Sequence, residues 1–260
     1  MVKVKKIKLC LYNFVILLTL MMLFACSSKK YNNYQSSASL LNIKDSILPD
    51  EEIQKFITPY KNHINKDLDS VLAYNPITQD KSKGVWETNI GNLFASTTLE
   101  LSQPIFRKRE NKTIDFCMLN HGGIRAIIPA GNVTSRTAYE IMPFENSIMI
   151  VGLTGKEVLD LANYVLTEKK PHPLEGIVIN TNKEYSKITS IKINNIPLDE
   201  NKLYYVATSD YLANGGDNMT FFKNSTIKFD LDYKLRNLFI DYFKKVDTIP
   251  NITRQHIITE

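Results

Sequence analysis

Four short segments of this 260-residue chain gather polar and glycine residues where an apolar run gives way: Asn89–Leu93, Asn120–Arg125, Pro143–Asn146 and Tyr211–Asp217. Strand ends are where α/β proteins build their sites. Gly122-Gly123 permits positive φ and a close approach of backbone to ligand. Arg125, two residues on, offers a planar fork suited to phosphate or carboxylate. Gly215-Gly216-Asp217 sets a carboxylate beside glycines, where it can accept two hydrogen bonds from a sugar diol. Phe144 and Tyr211 offer flat apolar faces for a base. Arg, Asp and two aromatics are what a nucleotide pocket needs. Each also has a plainer reading: a Gly-Gly turn, an arginine paired with a surface acid, two rings in a core.

The residue types for bond-breaking chemistry are sparse. The histidines are His63, His121, His172 and His256, and no two lie within 50 residues of each other. His-Glu-x-x-His, a cysteine cluster, a Gly-x-Ser-x-Gly elbow and a Walker loop are all missing. A dinuclear centre needs several His and Asp side chains converging on ions about 3.5–4 Å apart, which four scattered histidines do not suggest. His121 adjoins the ligand loop and reads as a bystander. Cys117 lies in the apolar stretch Ile114–Leu119 and reads as a buried, inert thiol.

The elements that must position these segments follow from periodicity. Pro49-Asp50-Glu51-Glu52 starts a helix over 50–73, with Ile53, Phe56, Ile57, Tyr60, Ile64, Leu68, Val71 and Leu72 at helical spacing and Pro59 as a kink point. A second helix runs over 90–101. Residues 114–119, 148–153, 177–179, 188–193 and 204–208 read as strands. Val133-Thr134-Ser135 is a short extended piece, and 138–142 a short helix ended by Pro143. Thr154 as N-cap with Glu157 three residues on is a capping box for a helix to Leu166. The last helix is expected over 231–245, with an irregular or extended tail after Thr248. No period of 20–50 residues is present, which excludes a solenoid.

Residues 1–8 are lysine-rich and residues 9–25 apolar apart from Asn13 and Thr19, the pattern of an export signal. Leu23-Phe24-Ala25-Cys26 resembles a bacterial lipobox, which makes Cys26 the lipidation site. An uncleaved anchor and plain secretion are the alternatives, and all three place the domain outside the cytoplasm. Composition agrees. The formal charge is +5, but the four lysines of residues 3–8 leave with the signal, so 28 basic residues face 27 acids. A net charge of +1 gives no reason to expect nucleic acid as a partner. The expected organisation is a signal over 1–25, lipidated Cys26 and a tether over 26–48, one domain over 49–250 and a tail over 251–260.

Asn120-His121-Gly122-Gly123-Ile124-Arg125, Pro143-Phe144-Glu145-Asn146, Leu153-Thr154-Gly155 and Tyr211-Leu212-Ala213-Asn214-Gly215-Gly216-Asp217 together resemble, in order and spacing, the C-terminal domain of 5′-nucleotidases. Glu87-Thr88-Asn89-Ile90-Gly91-Asn92-Leu93 resembles the Gly-Asn-Leu helix start of that family. The resemblance covers residues 50–250. It implies an α/β fold, a single domain with layered mixed sheets and flanking helices. It also implies that Arg125 contacts the substrate phosphate, Asn120 bonds the nucleotide, Phe144 and Tyr211 stack on the two base faces, Asn146 bonds the base edge and Asp217 holds the ribose hydroxyls. Trp86 stands where the family often has an arginine.

Family members carry their dinuclear metal centre in a separate N-terminal domain, whose motifs do not occur in this sequence. The expectation is therefore the nucleotide-recognition half of a 5′-nucleotidase-type phosphohydrolase. It has no cofactor or catalytic residue of its own, and divalent metals enter only through a partner metallophosphatase. A lipid-anchored nucleoside or nucleotide receptor, and a surface interaction protein on a decayed scaffold, are the alternatives.

Overall fold

The computed structural model describes residues 2–24, 36–44 and 46–259. Contacts divide the chain into a first unit over residues 1–51 and a second over 52–260. The first unit contains helix α1 (Val2–Phe24). Among the described residues no helix is long and apolar enough to cross a membrane. Cys26 lies outside the described residues.

The second unit opens with α2 (Glu51–Leu68), shorter than its periodicity suggests. Val71 and Leu72 belong instead to strand β1 (Val71–Asn75). The apolar stripe of α2 faces outward, leaving Phe56, Tyr60 and Ile64 exposed. Its polar side is the one held, because Arg136 donates to Asn65 and to Asp69. Then come α3 (Asn89–Glu110) and β2 (Phe116–Met118). Helix α3 runs nine residues past its expected end at Leu101 and stops at Asn111, whose φ of 53° and N–H bond to Arg107 close the last turn. Next are β3 (Gly131–Thr134), α4 (Ser135–Ile141), β4 (Ser147–Thr154) and α5 (Gly155–Glu168). The expected capping box is present: the Thr154 amide donates to Glu157 at 2.8 Å, and the Glu157 amide donates back to the Thr154 hydroxyl.

Strands β5 (Leu174–Glu175), β6 (Ile177–Thr181), β7 (Ile188–Ile193), β8 (Ile196–Pro197) and β9 (Leu203–Ser209) follow. The chain ends in α6 (Asp210–Ala213), α7 (Thr220–Asn224), β10 (Lys228–Lys234), α8 (Leu235–Lys245) and β11 (Ile257–Thr259). The last helix thus starts four residues later than expected from its apolar spacing. Phe229, Leu231 and Tyr233 alternate with Asp230 and Asp232, a strand period that the helical reading overran. The tail is extended at its end, where β11 pairs in parallel with β6.

A five-stranded mixed sheet in the order β10-β4-β9-β2-β5 is the centre of the fold. Both of its faces are buried. Ile148, Ile150, Cys117 and Ala207 point into one core, shared with α3, α4 and α8. Val151, Leu153, Phe116, Met118 and Val206 point into the other, shared with α5 and with Ile177, Ile179, Ile191 and Ile193 of the four-stranded sheet β11-β6-β7-β8. This is layered α/β architecture. Residue alternation along three strands feeds two cores at once, and each buried Phe, Leu or Ile contributes about 1.5–3 kcal/mol. Trp86 belongs to the second core, its ring 5.1 Å from that of Tyr185, so it turns inward. Burial pushes the Cys117 thiol well up, in keeping with an inert core residue.

Candidate functional site

Strand register brings the separate segments together. The first residues of β4 lie opposite the last of β9, with Ile148 facing Ser209. Strand β2 runs parallel to β9, with Cys117 beside Ala207. Phe144 and Asn146 just before β4, Asn120 just after β2, and Tyr211 and Asp217 just after β9 therefore share one end of three adjacent strands.

Asp217 is the hub of this end. Its carboxylate accepts from the Asn120 amide at 2.7 Å and from the Tyr211 hydroxyl at 2.8 Å. Its own N–H donates to the Tyr211 hydroxyl at 3.2 Å, and its carbonyl accepts from the Tyr164 hydroxyl at 2.8 Å. Asp217 sits at φ 52°, a left-handed conformation that costs an Asp about 1 kcal/mol or more. Gly215 before it sits at φ 93°, and a Cβ on Gly216 would overlap the Tyr211 ring. The two glycines thus let the turn fold beneath Tyr211 and return Asp217 to its hydroxyl.

Gly122-Gly123 works differently from expectation. Neither glycine adopts a positive φ. The segment is a single 3₁₀ turn over His121–Gly123, and a Cβ on Gly123 would stand 2.8 Å from the Asn120 side-chain oxygen. The requirement is close approach to Asn120, which then reaches across to Asp217.

Arg125 is exposed and donates weakly to the Gly122 carbonyl at 3.4 Å. Its guanidinium lies 5.8 Å from the centroid of the Phe144 ring, in cation–π range. Phe144 is 41% exposed and Tyr211 45%, so both rings present a face outward. Asn146 is half-buried, and its carbonyl accepts from the Leu235 amide at 2.9 Å. Lys81, which the sequence reading did not single out, donates to the Ile124 carbonyl at 2.6 Å and brings a second cation beside the Arg125 loop.

The segment Asn89–Leu93 does not join this cluster. The Asn89 side chain accepts from the Asp80 amide, and Asn92 donates to the carbonyls of Ile252 and Arg254, tying down the tail. Tyr164 and His172 were missed because nothing in their sequence neighbourhood marks them. They form the inner wall behind Asp217. The His121 amide approaches the His172 ring at 3.3 Å, and the Tyr164 ring lies 5.7 Å from it. Burial pulls His172 down to about 4, Asp217 opposing and His121 and Lys170 assisting. Burial, then the charges of Lys81 and Lys170, also lowers His121. Burial and the acids Glu168 and Asp217 push Tyr164 up to about 12, so it stays a donor.

Among the described residues no three His, Cys, Asp or Glu side chains gather as a ligand set. His63 meets Asp67 at 3.7 Å on an exposed helix, and the His256 ring lies 3.0 Å from the Ile177 carbonyl. The sheet end thus presents a carboxylate with two side-chain donors on it, two part-exposed rings and an exposed guanidinium beside one of them.

Residues 71–224 match the family described as 5′-nucleotidase, C-terminal domain. The chain is 28% identical over 196 residues to a 5′-nucleotidase of Vibrio parahaemolyticus, covering 73% of this chain and 33% of that protein. It is 31% identical over 143 residues to the protein UshA of Escherichia coli, covering 54% of this chain and 24% of the relative. Among solved structures, a 5′-nucleotidase precursor from Thermus thermophilus aligns with a TM-score of 0.67 at 24% identity, over 81% of this chain and 44% of that one. The chain thus spans about a third of the length of the first of these curated relatives.

The His172 environment makes stability pH-dependent. A histidine held near 4 when folded, against an ordinary 6.5, is protonated first in the unfolded chain. Its contribution is complete above about 6.5 and is lost as pH falls toward 4. Urea unfolding at pH 7 and at pH 4.5 should show the wild type losing roughly 2–3 kcal/mol more than His172→Gln across that interval. Identical losses in the two proteins would contradict this assignment.

Proposed function

The chain belongs to the 5′-nucleotidase C-terminal domain family, and from that premise we propose that it is the nucleotide-recognition half of a nucleoside 5′-phosphate phosphohydrolase. The carrying observation is the pairing, at one sheet end, of the Arg125–Phe144 contact with the Asn120–Asp217–Tyr211 network.

Each group has a physical task in this reading. Two of the roughly four lone-pair positions on the Asp217 carboxylate are taken by Asn120 and Tyr211, which leaves two for a ribose diol. The exposed faces of Phe144 and Tyr211 take the base, and Asn146 reads its edge. Arg125, close enough to Phe144 to lie beside the sugar-phosphate, takes the phosphate with its planar fork. Water activation and attack on phosphorus belong to a separate metal-bearing polypeptide. A receptor without catalytic duty is the second reading. It is favoured by the fact that the Asp217 network is complete within this one chain. In either case a lipid on Cys26 holds the domain at the cell envelope.

Calorimetric titration with a nucleoside 5′-phosphate and with the matching nucleoside separates the roles. Arg125→Ala should weaken the nucleotide about tenfold or more and the nucleoside less than about threefold, as expected for one charge-assisted contact. Equal losses for the two ligands would remove the phosphate role. For the anchor, metabolic labelling of the full chain with a radioactive fatty acid should mark the wild type and leave Cys26→Ser unlabelled. Label persisting on the serine variant would disprove lipidation at Cys26.

A further inference from the structure

Three consecutive residues, Lys234-Leu235-Arg236, take up all four backbone carbonyls of the loop Pro143–Asn146. Arg236 donates to the carbonyls of Pro143 and Phe144, each at 3.3 Å. The Lys234 ammonium donates to the Glu145 carbonyl at 2.8 Å and to the Ser147 hydroxyl at 2.8 Å. The Leu235 amide donates to the Asn146 carbonyl at 2.9 Å. The Arg236 side chain is only 7% exposed, is ion-paired to Glu145 and lies 4.2 Å over the Tyr139 ring. None of these three residues falls in the 71–224 segment that matches the family.

A buried guanidinium is costly unless it is ion-paired and hydrogen-bonded, so its placement has to be accounted for. Here one terminal nitrogen is spent on the Pro143 and Phe144 carbonyls and the other on the Glu145 carboxylate, while Nε has no hydrogen-bond partner among the described residues. With the four carbonyls drawn toward the β10–α8 junction, the loop has few conformations left. Phe144 then stands off the surface with its ring outward, under the Arg125 guanidinium. We propose that Lys234-Leu235-Arg236 is a clamp that pre-positions Phe144 as a base-stacking platform, with Arg236 as the chief positioning residue. The inference rests on the nucleotide-recognition reading and adds the source of its base affinity. A platform fixed before binding spares the ligand the cost of ordering the loop.

The split between ligands tests it. Arg236→Met keeps the apolar stem and removes the donors. It should weaken a nucleoside and its 5′-phosphate alike, about tenfold, within the range spanned by loss of one stacking platform, and leave ribose 5-phosphate unchanged. Lys234→Met, which gives up only the Glu145 carbonyl and Ser147 contacts, should show the same split with a smaller change. Equal weakening of all three ligands, or of none, would overturn the clamp. Amide hydrogen exchange supplies a readout that needs no ligand. Exchange of the 144–147 amides and of the Leu235 amide should quicken in both variants, with β9 unchanged, and unchanged exchange there would overturn the clamp independently. If wild type binds ribose 5-phosphate as well as the full nucleotide, the stacking reading itself falls, and the exchange comparison still decides the clamp.

Discussion

One carboxylate, that of Asp217, fixes the geometry of the sheet end proposed to take the nucleotide. It draws Asn120 from the end of β2 and Tyr211 from the end of β9 onto two oxygens of the same group. The backbone around it is bent into a left-handed turn that glycines on its N-terminal side make possible. Tyr164 holds the carbonyl of the same residue from α5. Each of the two side-chain donors makes a charge-assisted hydrogen bond to this anion, worth about 1.5–3 kcal/mol. The donors thus stabilise the turn, and the turn in return orients the Tyr211 ring.

Everything else in the fold serves to bring those donors to one place. The central sheet sends alternate residues of β2, β4 and β9 into two separate cores, which makes a one-residue slip of any strand prohibitive. Register is therefore rigid, and the loops at the strand ends inherit that rigidity. Where the sheet itself does not reach, hydrogen bonds do. Lys81 holds the Ile124 carbonyl, and residues 234–236 hold the Pro143–Asn146 loop. The Glu145 carboxyl is kept below the usual range by the Arg236 guanidinium, so this ion pair persists at neutral pH.

Local chemistry was readable from the sequence wherever a short segment carried its own explanation. The Thr154–Glu157 capping box, the strands 188–193 and 204–208 and the glycine-flanked Asp217 belong to this class, as does layered α/β architecture. Features that depend on partners far along the chain were not readable. Val71 and Leu72 continue the helical spacing of α2 and become a strand only because β3 pairs with them. The apolar stripe of α2 predicts burial, yet the helix is held by its polar side through Arg136. Gly122 and Gly123 suggest positive φ, whereas proximity to Asn120 is what the second of them provides. Arg236 and Tyr164 carry no local mark at all; their partners lie 92 and 53 residues away.

One sheet end of this chain is proposed to bind a nucleoside 5′-phosphate in a single orientation. A crystal structure of the protein with such a nucleotide tests it most directly. The base is expected against the Phe144 and Tyr211 rings, the ribose hydroxyls on the Asp217 carboxylate and the phosphate on Arg125. A nucleotide bound away from this sheet end, or bound there with its phosphate turned toward Asp217, would contradict it.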